Sequence, residues 1–93
     1  MKFIVENKLY DTEKAEKLCV FQKQWKAATI FGPMYPNRET ALFKTAKGAY
    51  FLTGKHDFER YEIEVITEEK AKYYLMYNAY DLYAKMFGEL EEA

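Results

Sequence analysis

The sequence has no serine and only one histidine, one cysteine and one tryptophan, and each scarcity removes a class of chemistry. Without serine, no serine-nucleophile triad can be assembled. The single histidine, His56, precedes Asp57 in "GKHDFER", but neighbours in a loop rarely adopt the geometry of a general base and its orienting carboxylate. Cys19 sits in the apolar run "LCVF", where a free cysteine is ordinarily a small buried hydrophobe. Alone it can form no intramolecular disulfide, which fits the cytosol. One cysteine and one histidine cannot furnish a zinc site without carboxylates. The paired carboxylates (Glu62 with Glu64, Glu68 with Glu69) sit where solvent or a helix start accounts for them. The four glycines are scattered at turns, so no phosphate-binding loop exists. No apolar stretch approaches the ~20 residues needed to span a bilayer, and the opening "MKFIVEN" is too short for a signal-peptide core. A net charge of -1 provides no global attraction for nucleic acid or an anionic membrane. These absences predict a soluble cytoplasmic protein that is not an enzyme, binds no cofactor or metal, and has no membrane partner.

What is present is apolar and aromatic. Ninety-three residues, 49 % hydrophobic and 18 % aromatic, suffice for one modest core and predict one domain over residues 1–93. The nine tyrosines carry hydroxyls that must be solvated or bonded, which implies many half-exposed positions. Phe3 to Val5 is β-prone, Glu6-Asn7-Lys8 fits a turn, and "LYDT" resumes extended character. From Asp11 to Trp25 two readings compete. One is a helix capped by Asp11 or Thr12 with Ala15, Leu18 and Cys19 on one face; the favoured one is a turn followed by a strand from Leu18. "FGPMYPNRE" reads as a loop, and the status of residues 22–37, strand or loop, stays open.

"TALFKTAKGAYFLTG" reads as a hairpin turning at Thr45–Gly48, with Phe43 opposite Phe51 and Leu42 opposite Leu52. "GKHDFER" is a polar connection. "YEIEVIT" alternates as a strand, Tyr61, Ile63 and Val65 on one face and Glu62, Glu64 and Ile66 on the other, with one side solvated. The expected fold class is α+β, an antiparallel meander of four to five strands with a C-terminal helix or helix pair on one face.

The helix is "TEEKAKYYLMYNAYDLYAKMFGEL". Thr67 is its N-cap, Glu68 and Glu69 complement the dipole in its first turn, and Gly88 suits a stop. On a helical wheel Ala71, Leu75, Ala79, Leu82 and Met86 form a core stripe, while Tyr73, Met76, Tyr77, Tyr80, Ala84 and Phe87 lie nearly opposite. One small sheet cannot cover both sides. Three readings follow: "NAYD" breaks the segment at Asn78 and redirects the later tyrosines inward, the tyrosines simply cover surface with their hydroxyls in water, or the second side meets a partner. Tyr73, Tyr77, Tyr80 and Phe87 are therefore the expected partner-binding residues, tyrosine and methionine being enriched at interface cores. The same face would serve a homodimer. A rival set, Lys44, Lys47, Lys55, Arg60 and Tyr50, with His56, Phe43 and Phe51 nearby, would make a basic aromatic hairpin able to neutralise phosphates and stack bases. In a hairpin with one buried face, however, the aromatics are more often core.

In order along the chain, Lys8, Tyr10, Thr12, Glu13 and Ala15, then Leu42, Phe43, Lys44, Thr45, Lys47, Gly48, Tyr50, Phe51 and Leu52, then Ile66, Glu68, Glu69, Ala71 and Lys72 form a pattern. It resembles that of a family of small proteins from Gram-positive bacteria, their phages and mobile elements. That family has a lysine-x-tyrosine-x-threonine-glutamate-x-alanine opening, a leucine-tyrosine-x-threonine-x-x-glycine-x-phenylalanine hairpin and a glutamate-glutamate-alanine-lysine helix. Here Lys70 interrupts the last motif, tyrosine replaces the helix tryptophan near Tyr73 and Tyr74, and Gln22 to Asn37 does not match. The resemblance implies a mobile-element accessory protein that binds a host protein or nucleoprotein complex stoichiometrically, as anti-CRISPR inhibitors do.

Overall fold

The computed structural model describes all residues, 1–93. Eight strands and two helices follow in the order β1 (Lys2–Val5), β2 (Lys8–Asp11), β3 (Glu16–Gln24), β4 (Ala27–Thr29), β5 (Gly32–Met34), β6 (Asn37–Lys44), β7 (Tyr50–Lys55), β8 (Tyr61–Ile66), α1 (Glu68–Asn78) and α2 (Tyr80–Phe87). The main sheet is antiparallel in the order β3-β6-β7-β8, and β1-β2 and β4-β5 are separate two-stranded pairs. The fold class is the expected α+β meander with a helix pair. β6 and β7 pair with Leu42 opposite Leu52 and Phe43 opposite Phe51, the register the hairpin sequence predicts. Gly48, at φ 89°, supplies the positive-φ residue at that turn.

The pleat sends alternate side chains of the sheet to two different covers. One face carries Leu42, Tyr50, Leu52 and Ile66, which pack with Ala71 and Leu75 of α1 and Tyr83 of α2. The other carries Phe43 and Phe51, which pack with Tyr10 of the β1–β2 hairpin and are flanked by Phe3 and Val5. That hairpin turns through Glu6 and Asn7, both left-handed at φ 50° and 63°, the backbone that keeps a two-residue turn in step with strand twist. β8 consequently has partly covered residues on both faces rather than one solvated side. Ile66 is buried toward the helices and Ile63 packs toward the hairpin, while Tyr61 and Val65 stay exposed at the edge.

Trp25 closes the end of the helix-side face that the helices leave bare. It is buried, and its indole N–H donates to Thr40 Oγ1 at 2.9 Å. Gly54 makes room for it: a Cβ there would stand 2.5 Å from Trp25 Cε2, closer than any packed contact allows. Lys23 Nζ lies 4.5 Å from the indole ring centroid and 3.7 Å from Glu64.

Residues 22–37, left open between strand and loop, are both. β3 runs on to Gln24, and the segment read as a loop from Phe31 contains β5 and the start of β6. β4 and β5 pair with Ala28 opposite Pro33, a position a two-stranded ribbon tolerates because proline removes no hydrogen bond from a central strand. Trp25 N–H donates to Pro36 O at 3.0 Å, so the ribbon is rooted in the same two segments that form β3 and β6.

Candidate protein-binding surface

The helical segment breaks one residue beyond the expected Asn78. Ala79 has φ -154° and ψ 61° and serves as C-cap of α1 and N-cap of α2. Its N–H donates to Leu75 O at 2.8 Å, and its carbonyl accepts from Tyr83 N–H at 3.0 Å. Asn78 belongs to the end of α1 rather than the start of α2: its Nδ2 folds back one turn and donates to Tyr74 O at 2.9 Å. At the other end Thr67 Oγ1 accepts from Lys70 N–H at 3.2 Å, the expected N-cap. Gly88, at φ 97°, ends α2.

The break divides the aromatic residues. Ala71 and Leu75 are fully buried, while Tyr73 and Tyr77 are 59 and 71 % exposed. Their ring centroids are 4.9 Å apart, and Tyr73 also meets Tyr74 edge-on at 5.7 Å. Tyr74 is stacked on Phe21 of β3 at 5.0 Å, so the outward pair is braced through Tyr74 onto the sheet. Burial raises the Tyr74 phenol above its ordinary range, with Glu64 and then Tyr73 adding to the effect.

Beyond Ala79 the aromatics turn inward. Tyr83 is buried, stacks near Tyr80 at 6.0 Å and meets Phe87 at 5.6 Å. Phe87, expected on the partner side, packs against the core with Met76 and has Lys72 Nζ 4.8 Å from its ring centroid. Tyr80 lies between the two groups: it is 40 % exposed, and its hydroxyl accepts from Leu90 N–H at 2.9 Å. Of the four expected contact residues, Tyr73 and Tyr77 form one outward pair, Tyr80 is its margin, and Phe87 is a core-edge residue.

The basic aromatic hairpin does not converge. Tyr50 is 3 % exposed and Phe43 and Phe51 are buried, so these rings belong to the core and cannot stack bases. Lys44 Nζ lies 5.8 Å from the Tyr50 ring centroid. Lys47 is at the β6–β7 turn, whereas Lys55 ends β7 and Arg60 precedes β8. The length of β7, roughly 17–20 Å for a six-residue strand, separates the two groups. Phe58, between Lys55 and Arg60, is 95 % exposed with left-handed backbone; composition gave no sign of it.

His56 is buried edge-on against Trp25 at 5.8 Å, with Nε2 3.5 Å from Glu62 Oε2. Cys19 is half-buried beside the core, and burial pushes its thiol pKa up, away from nucleophilic character. No group of three or more His, Cys, Asp or Glu side chains converges as metal ligands would, and no helix is long and apolar enough to cross a membrane. Sequence reasoning missed the exposed residues of the β4–β5 ribbon: Ile30 and Phe31 at 93 and 92 %, Met34 and Tyr35 at 58 and 55 %. A signal existed, because no side chain from Ala27 to Asn37 is charged.

No protein-family model matches the chain, and no curated protein or solved structure is significantly similar to it.

Proposed function

We propose that the chain is a small non-enzymatic binding protein that acts stoichiometrically, docking Tyr73 and Tyr77, with Tyr80 at the margin, on a larger protein or nucleoprotein complex. The observation that carries this reading is the outward tyrosine pair on a helix whose opposite side is fully buried by its own sheet. Tyrosine supplies large contact area and a hydroxyl for the wet rim with only two torsions to fix. The brace through Tyr74 to Phe21 lowers the ordering cost of binding further. The resemblance to mobile-element proteins supplies the target class: a host complex inhibited by occupation, in the cytoplasm.

The test is comparative affinity capture from a bacterial host lysate with the parent chain and a Tyr73→Ser/Tyr77→Ser variant. The variant should keep the parent's circular dichroism and melting temperature and lose partners that the parent retains. Identical capture by both proteins would discard the tyrosine pair as the contact surface.

A further inference from the structure

The β4–β5 ribbon is an apolar finger. At its tip Thr29 Oγ1 accepts from Phe31 N–H at 3.1 Å and donates to Gly32 O at 2.7 Å, which fixes the turn that presents Ile30 and Phe31. Its root is held by the Trp25–Pro36 backbone bond and by burial of Trp25. The finger helps make the molecule long, with extents of 47 × 33 × 20 Å and a radius of gyration of 14.5 Å, against about 12 Å for a compact chain of this length. Large apolar side chains exposed together on an uncharged projection mark an interaction site.

A second feature answers it. On the face opposite the helices, the β1–β2 hairpin covers only the Phe43–Phe51 end. At the edge of that cover, Val20, Ala41 and Tyr61 line an open cavity of about 210 Å³, with Thr53 and the charged Lys17, Glu39 and Lys55 making up much of the rest of its wall. Val20 and Tyr61 are 50 and 38 % exposed. The molecule thus has an apolar knob with no socket of its own and, on its sheet, an open cavity of mixed apolar and polar lining with no knob.

We propose that the Ile30–Phe31 tip of one copy seats in this cavity of a second copy, and reciprocally, to form a two-fold dimer. Area favours a second copy. Finger and sheet residues together expose the equivalent of about four large side chains per copy, on the order of 700 Å², close to the ~800 Å² per partner of a stable interface. The finger carries no charge, so its docking leaves the Lys17 and Lys55 ammonium groups free to extend to water. Reciprocity closes the assembly at two, because each copy fills its partner's socket and has its own filled. The finger leaves from the Gln24–Asn37 end of the β3–β6 pair, the end toward which Glu39, Lys55 and Tyr61 of the cavity also lie. A two-fold axis beyond that end therefore lets each finger lie on the other sheet. The tyrosine pair of α1 is a separate surface, and this inference does not depend on its role.

Light scattering and sedimentation velocity over a concentration series test the proposal. The parent should show a monomer–dimer equilibrium, and Phe31→Ser should raise its dissociation constant on the order of thirtyfold, the effect of a central hot-spot residue, without lowering the melting temperature. In a Cys19→Ala background, Phe31→Cys on one molecule and Val20→Cys on another should form a mixed disulfide on mild oxidation, whereas Phe31→Cys with Tyr77→Cys should not. A monomer at every concentration, a dimer indifferent to Phe31→Ser, or open-ended polymers would each overturn the proposal. So would monomeric flotation with phosphatidylcholine vesicles lost on Phe31→Ser, which would assign the tip to a lipid surface.

Discussion

Tyr77 of α1 is 71 % exposed and Tyr83 of α2 is 8 % exposed, although both belong to one tyrosine-rich stretch. An unbroken helix would have carried Tyr73, Tyr77, Tyr80, Ala84 and Phe87 along one outer line. The non-helical backbone of Ala79 re-aims everything after it, so Tyr83 enters the core and Phe87 and Met86 pack along its edge. Residue type does not decide which tyrosines are structural and which are available to a partner; a single pair of backbone torsions does.

The largest expected effect comes from the buried member of the pair. Tyr83→Ala removes an aromatic ring from the contact between α2 and the sheet, and truncating a buried aromatic costs about 3–5 kcal/mol. In a domain of this size each kcal/mol lowers the melting temperature by roughly 4–8 °C, so a thermal melt should show a large drop or loss of the folded state. A smaller effect separates the helices at their starts. Thr67 caps α1 through its side chain, whereas α2 has no side-chain cap. Thr67→Ala should cost about 1 kcal/mol in chemical denaturation, and amide exchange should speed up in the first turn of α1 while α2 is unaffected.

How much of this was legible follows from how local each signal is. The β6–β7 register is written in adjacent residues, a glycine turn flanked by matched apolar positions, and Thr67 and Gly88 mark helix ends through their own side chains or lack of one. The outward placement of Tyr73 and Tyr77 follows from helical periodicity alone. Ala79 carries no comparable signature: alanine favours helix, yet the break there is what lets Tyr83, Leu82 and Met86 face the core. The β4–β5 ribbon was hidden because Pro33 and Pro36 read as loop punctuation, and pairing within the ribbon overrides that reading. Trp25 filling the space above Gly54 was equally hidden, since it depends on contacts between residues far apart in sequence. Tyr50, Phe43 and Phe51 looked like a stacking platform only while the two covers of the sheet were unknown.

Alkaline pH sharpens the contrast at Tyr74, the half-buried ring behind the outward pair. Its phenol is raised by burial, then by Glu64 and Tyr73, and the Cys19 thiol is raised by burial. A group whose folded pKa exceeds its unfolded value contributes stability that is complete below the unfolded value and is lost as pH rises through the folded one. Stability should therefore decline above about pH 9–10, where free thiols and phenols begin to ionise. Tyr74→Phe, which keeps the stack on Phe21 and removes the ionisation, should make that decline shallower in denaturant titrations run across pH.

The smallest expected change is the most discriminating. Tyr77 meets Tyr73 but is itself 71 % exposed, so Tyr77→Ser should alter stability by less than about 0.5 kcal/mol, the usual range for surface positions. Serine and tyrosine have nearly equal helix propensity, so the exchange adds little to that change. A denaturation midpoint near the parent's would leave these tyrosines with no structural duty, and the α1 face would then owe its composition to what binds it. A loss comparable to that of Tyr83→Ala would mean instead that the outer face of α1 is part of the scaffold. The two helices would then differ in exposure without differing in role.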